Sequence, residues 1–342
     1  MEPWLADACR LLHAESTVES REAAVRSLAQ VPGEVLLPNL LRHRIDQLVL
    51  RTVLDGGWAE LLGEELHQAL VQRRRRSAME LMLREEGARR AGEALASASI
   101  DYVFFKGLLL GEMLYGDPLL RPSADVDLMI AEGEREQAHW VLVEAGFELV
   151  PQEDQPPYEQ AYFGHGAHLD LHWHPISPTR SRGELTPYFL NEPTWRDGLA
   201  YPPNEATALS LLLNPALTDH VSERLIQALD VDRFVRNQEC NWQQVGDWLR
   251  SAGLRVAAWA MLEHTRLHFD TPIPEPLDDA VRPGALRRRY LRAWLVRDPA
   301  QLYTRWPRLV RAGLGTFLHD SLGHGFAALV AAVGERRKAR RR

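Results

Sequence analysis

The chain is predicted to be an α+β protein: a small mixed-sheet core of α/β character flanked by N-terminal and C-terminal helical regions. Three observations predict it. Apolar residues recur at helical spacing from Pro3 to about Ser99, and short β-rich runs separated by helical stretches take over between about Ile100 and Trp173. Helical spacing then returns beyond Pro203. The divisions that follow are residues 1–98, 99–180 and 181–342, the last holding a connection and a C-terminal helical domain.

The N-terminal helices are read from LLPNLLRHRIDQLVL (36–50) and LHQALVQRRRRSAMELML (66–83). The run Arg73 to Arg76 inside the second reads as a solvated face whose stems lie over apolar neighbours, with a phosphate contact as the other use. DYVFF, Asp101 to Phe105, reads as a buried strand. Gly107 to Tyr115 reads as a helix stopped by the turn Gly116, Asp117, Pro118. DVDLMI, Asp125 to Ile130, is a second strand; Glu134 to Ala145 is a helix ended by Gly146; Phe147 to Val150 is a short strand. PQEDQPPY (151–158) makes a loop, and Gln160 to Phe163 pairs with His168 to Trp173 as a hairpin across a GHG turn. Pro175 to Pro203 is rich in Pro, Ser, Thr and Arg and reads as a long connection placed to cover a site. The C-terminal helices carry EATALSLLLNPAL, ERLIQALDVDRFV, WQQVGDWLRSAG and RVAAWAMLEHTRLHF, are interrupted at Pro272, Pro274 and Pro276, and end in a solvated tail, ERRKARRR (335–342).

Composition narrows the function. A hydrophobic content of 45 % with a net charge of −7 excludes a disordered chain and argues against a dedicated duplex-DNA binder, which needs a basic footprint. The two cysteines, Cys9 and Cys240, form no CxxC pair, so a disulfide framework or thiolate zinc site is not expected. The N-terminus lacks a basic region followed by a long apolar stretch, and the apolar run 325–334 is about half of what a spanning helix requires. A soluble, cytoplasmic protein is expected.

The chemistry concentrates in FFKGLLLGEMLYGDPLLRPSADVDLMI (104–130). Asp125 and Asp127 are one residue apart on a strand, so both project from one face, and Asp170 repeats the setting of an acid between apolar residues on a later strand. Adjacent carboxylates repel unless a cation lies between them, and three of them make a hard oxygen site suited to Mg²⁺, with Mn²⁺ able to substitute. Lys106 and Gly107 fall where a strand turns into a helix, a place that favours phosphate; Lys106 is one of only two lysines, and Arg121 supplies a second cation. Alone, each signal also fits a capping or salt-bridging pair. A rival constellation lies in His168, Asp170, His172 and His174, with His165 nearby, which would suit zinc and a hydrolase. His168 and His172 otherwise line the acceptor side of the same site. Trp140, Trp242, Trp248 and Trp259 read as core, and Asp230 and Asp232 either reach the site or stay on a helix surface.

In this order the residues resemble the uncharacterised nucleotidyltransferase family of the DNA polymerase β-like superfamily. The motifs are Phe105, Lys106, Gly107; Tyr115; Gly116, Asp117, Pro118; Arg121, Pro122; and Asp125, Val126, Asp127, Leu128, followed by Leu169 to Trp173. Leu229 to Val231, Asn241, Trp242, Gly253 and Leu254 extend the likeness downstream. The resemblance implies that Asp125 and Asp127 bind catalytic metals, and that Asp170 completes the site and orients or deprotonates the acceptor hydroxyl. It also implies that Lys106, Gly107 and Arg121 hold the phosphates of a nucleoside triphosphate, with ATP the expected one; Tyr115, which ends the helix after the Lys106–Gly107 turn, is placed to face the nucleotide. The chain departs from the wider superfamily in having Lys and Gly where Gly and Ser usually follow the first strand. Transfer of a nucleoside monophosphate to a small-molecule or peptide acceptor is the leading expectation, favoured over a polynucleotide acceptor, with no membrane as partner. A non-catalytic nucleotide- or partner-binding module is the alternative from another class.

Overall fold

The computed structural model describes residues 3–296 apart from 152–155, 219–220 and 222–223, together with 306, 310, 313–328 and 330. The tail 335–342 and part of the loop 151–158 therefore lie outside the described residues, as does part of the apolar run 325–334. Among the described residues no helix is long and apolar enough to cross a membrane.

Five helices precede the sheet: α1 (Pro3–Leu12), α2 (Val18–Leu28), α3 (Gly33–Arg42), α4 (Asp46–Asp55) and α5 (Glu64–Ser97). Thr17 starts α2 by accepting the Ser20 N–H, and Trp4, Leu11, Leu28, Leu40 and Val49 supply the buried side of this cluster. α5, at 34 residues, is about 50 Å long. Within it, Arg74 does not stay in solvent but donates to Asp117 at 2.7 Å, tying the helix to the Gly-Asp-Pro turn.

The chain then lays down β1 (Tyr102–Phe104), α6 (Gly107–Tyr115), β2 (Val126–Ile130), α7 (Arg135–Glu144), β3 (Glu148–Leu149), β4 (Glu159–Gly164) and β5 (Ala167–His172). The sheet has the order β1-β2-β5-β4-β3, with β2 and β5 parallel and every other pair antiparallel. Val126, Leu128, Ile130, Leu169 and Leu171 form its apolar face and are fully buried. α5 and α7 cover that face. A Cβ on Gly87 would come within 2.6 Å of the Ala167 methyl, so glycine sets how closely α5 crosses the strand. His139 of α7 hydrogen-bonds the Tyr162 hydroxyl at 2.9 Å. The opposite face carries the acids.

The segment 175–203, expected as a long connection with weak periodicity, carries short elements of its own. It contains α8 (Thr186–Leu190) and a hairpin of β6 (Thr194–Arg196) and β7 (Leu199–Tyr201). Thr186 donates to the Trp173 carbonyl at 2.7 Å, and Phe189 is buried with its ring 5.6 Å from that of Phe105. Apolar anchors hidden among Pro and Ser dock the segment onto the sheet.

Further helices among the described residues include α9 (Asn204–Leu217), α10 (Leu225–Asn237), α11 (Trp242–Ala252), α12 (Arg255–Phe269), α13 (Glu275–Val281) and α14 (Ala285–Leu295). Asn241 caps α11, Gly253 ends it in the left-handed region, and the break holding Pro272 and Pro274 falls between α12 and α13, with Pro276 in the first turn of α13. Trp259 is buried in this bundle and Trp242 and Trp248 pack against its partly covered rim, whereas Trp140 is 60 % exposed, contrary to the core reading, because it sits on the outward side of α7. α10 is braced from the N-terminal helices: Arg233 donates to the Leu12 carbonyl at 2.7 Å and Arg236 pairs with Glu15 at 2.7 Å.

Candidate active site

The parallel ladder between β2 and β5 sets the site, because it places Asp127 directly beside Asp170. Side chains in register on neighbouring strands share a face, and here it is the face opposite the one packed under α5. His172, two residues beyond Asp170, turns its Nε2 to Asp127 Oδ1 at 3.1 Å. Ligand atoms of Asp127, Asp170 and His172 all lie within 4.8 Å of one another, and this is the group among the described residues spaced to hold a metal ion.

Asp125 lies one residue before β2 begins. Its carboxylate accepts from the Ser123 hydroxyl at 2.9 Å and lies outside that group, although it lines the same cavity. Local side-chain hydrogen bonding from two residues back competes with strand alternation at this position.

Lys106 occupies the residue before α6 with φ 65° and ψ −123°, a backbone region that a side chain enters at a cost of about 1–3 kcal/mol. Its ammonium sits 3.2 Å from Asp127 Oδ1 and 4.3 Å above the Phe105 ring. Gly107 follows, where a Cβ would meet Ser123 Oγ at 2.6 Å and the Asp125 carbonyl at 3.1 Å, so the start of α6 packs directly on the loop that carries Asp125.

Electrostatics separate the two paired acids. Burial alone would raise Asp127, but the Lys106 ammonium and His172 outweigh it and hold the carboxyl well below the usual range. Asp170 goes the other way: burial, with the neighbouring Asp127 charge added, pushes it up to about 6. A cation between the two carboxylates would relieve the part of this shift that repulsion adds, so the oxygen pair fits a divalent ion, to which His172 offers a nitrogen donor.

These residues open onto a cavity of about 350 Å³, within the range of small-ligand sites. Its wall includes Lys106, Gly107, Arg121, Asp125, Asp127, Asp170 and His172 from the expected set. Tyr115 is not part of that wall. It is the last residue of α6 and faces α10, where its hydroxyl donates to Asp230 at 2.8 Å, and burial with the Asp230 charge raises it far above its ordinary value. Arg121 donates to the other oxygen of Asp230 at 2.7 Å; burial opposes its charge, but the carboxylate wins and the guanidinium stays protonated. Asp230 thus reaches the site, while Asp232 is buried elsewhere, bonded to Thr271 and Arg236.

The histidine constellation does not assemble. His168 is exposed at the far end of β5 against the Phe163 ring, His165 bonds the Ala145 carbonyl, and His174 lies 3.4 Å from Glu132 beyond the strand. The strand ends at His172, so alternation no longer governs His174, and the zinc-hydrolase set His168/Asp170/His172 is corrected to Asp127/Asp170/His172.

Among the lining residues that escaped the sequence reading are Ser123, Glu159, Arg44 and Arg224. Glu159 is in register with His172 across the β4–β5 hairpin and lies 3.2 Å from its Nδ1, outside hydrogen-bonding alignment. Hairpin register could have found it. The two arginines come from the α3–α4 turn and the start of α10, and no local pattern marks them.

Comparison with curated proteins finds no match. A family model described as an uncharacterised nucleotidyltransferase matches residues 34–270, a span that begins in α3 and ends just past α12. That span takes in every residue of the cavity wall and well over half of the chain, and the protein belongs to this uncharacterised nucleotidyltransferase family.

Proposed function

We propose that the protein transfers a nucleoside monophosphate from a nucleoside triphosphate, ATP being the expected one, to a hydroxyl acceptor in a small molecule or peptide. The observation that carries this reading is the in-register Asp127–Asp170 pair facing a strained Lys106 at the start of a helix. Lys106, Gly107 and Arg121 hold and orient the phosphates, which favours in-line displacement by positioning. The acceptor oxygen forms a bond to the α-phosphorus, the bond from that phosphorus to the α,β-bridging oxygen breaks, and pyrophosphate departs with the electron pair. The hydroxyl proton passes to the Asp170 carboxylate and from there to water. Asp127 and Asp170, with Asp125 and His172 beside them, would hold Mg²⁺, which neutralises charge on the phosphates when bound. Net acidity supports a non-polynucleotide acceptor, and the paucity of cysteine supports a cytoplasmic setting.

The test is incubation with each of the four α-labelled triphosphates, Mg²⁺ and a cell extract. Label should move to a product with wild type, with a preference for ATP, and should stop on chelation with EDTA. Asp127→Asn should lower transfer by about 100-fold or more, since removing one charge-stabilising group costs that much. Nucleotide binding without transfer would instead assign a binding module, and the absence of both would overturn the reading.

A further inference from the structure

Both cations that the sequence marks for phosphate already face a carboxylate, Lys106 at 3.2 Å from Asp127 and Arg121 at 2.7 Å from Asp230. A triphosphate brings several more negative charges into the same space. Two further cations line the cavity, Arg44 and Arg224. They come from opposite flanks of the chain, and His43 brings them together. Its Nδ1 accepts the Leu225 N–H at 3.1 Å and its carbonyl accepts the Ile226 N–H at 3.3 Å. His43 is itself buried, with Trp4 edge-on at 5.3 Å, so the α3–α4 turn is locked to the start of α10. The first amides of α10 are used up on His43, which leaves anion binding there to the guanidinium groups.

Arg44 carries a second mark. It follows α3 with φ 53°, in a turn closed by Ile45 N–H to the Leu40 carbonyl and Arg44 N–H to the Leu41 carbonyl, each at 3.1 Å. This is the helix ending that glycine fills at least steric cost, and an arginine there is strained. Strained residues cluster where a side chain is needed in one place. Arg44 also lies close enough to Asp230 for its charge to act on that carboxylate. Guanidinium forks match phosphate oxygens two at a time, which an ammonium does not.

We propose that Arg44 and Arg224 clamp the β- and γ-phosphates of the bound triphosphate, the half that leaves as pyrophosphate. The inference rests on the nucleotidyltransferase reading and gives that site its leaving-group subsite. Lys106 and Gly107 then serve the α-phosphate beside the carboxylates.

The experiment is calorimetric titration of the full chain with inorganic tripolyphosphate, ATP and AMP, with Ca²⁺ in place of Mg²⁺ to hold off turnover. Arg44→Gly relaxes the backbone while deleting the cation, Arg44→Asn keeps a residue at ease in the left-handed region, and Arg224→Gln removes the second charge. Each should weaken tripolyphosphate and ATP by about tenfold or more and leave AMP within about twofold of wild type. Unchanged ATP affinity in all three overturns the proposal, as does an equal loss for AMP. Variants that keep ATP affinity but lose turnover at saturating ATP would assign the pair to an anionic acceptor, which also overturns the pyrophosphate assignment. A wild-type chain that binds none of the three ligands would overturn the transferase reading itself.

Discussion

Asp230 is 1 % exposed and lies between the Tyr115 hydroxyl and the Arg121 guanidinium, so each of the three side chains constrains the others. Removing the acid strands a buried cation: Asp230→Ala is expected to cost about 3–5 kcal/mol in urea denaturation. Tyr115→Phe removes one hydrogen bond and should cost about 1 kcal/mol. Because Tyr115 faces α10 and not the cavity, its KM for ATP should stay at the wild-type value, and a raised KM would return Tyr115 to the nucleotide. Positions such as Asp127 and Asp170 were legible because a strand with apolar residues on one face leaves its other positions no choice of direction. Tyr115 and Arg121 were legible as a motif but not in their partner, since nothing in the sequence orients α10 over α6. Glu159 was missed for a different reason: the expected strand began one residue later, at Gln160, and so left out the partner of His172.

The elements that build the site are joined at contacts too close for a side chain. A Cβ on Gly111 of α6 would lie 2.8 Å from the Pro118 Cα and 3.0 Å from its carbonyl oxygen. Gly111→Ala therefore forces α6 away from the turn that leads to Arg121. Overpacking of this kind costs about 1–3 kcal/mol, against at most about 1 kcal/mol returned by helix propensity. The expected result is a lower denaturation midpoint and weaker ATP binding together; a more stable variant with normal binding would show that the two elements are not rigidly joined. Strand and helix positions in the core were readable from periodicity, including the β4–β5 hairpin and the short β3. α8 and the β6–β7 hairpin were not, because five- and three-residue elements are too short to show a period and are held by tertiary contacts such as Phe189 on Phe105.

Across the whole molecule the flanking helices were legible as helices, while their docking onto each other through α10 was not, because single buried contacts such as His43 with Leu225 decide it. Buried histidines also set how stability responds to acid. Burial, with His324 and Arg180 adding to it, pushes His319 down to about 4, and burial with His268 lowers His264 far below its ordinary value. An unfolded histidine titrates near 6.5, so between those values the unfolded chain binds more protons and stability falls as the pH drops from about 6.5 to about 4. His319 alone accounts for about 3 kcal/mol over that window. Asp170, raised instead, opposes the loss below about pH 6. Thermal melts from pH 7.5 to 5 should show the decline, and His319→Gln should flatten it; an unchanged slope would mean His319 is hydrated or protonated in the folded state. The crossover that pairs β2 with β5 has a further consequence at the ribosome. β2 has β1 on one side and its other edge bare until β5 has left the ribosome too, so a chain released at about residue 150 presents the strand VDLMI with an open edge, a template for aggregation that the finished sheet conceals.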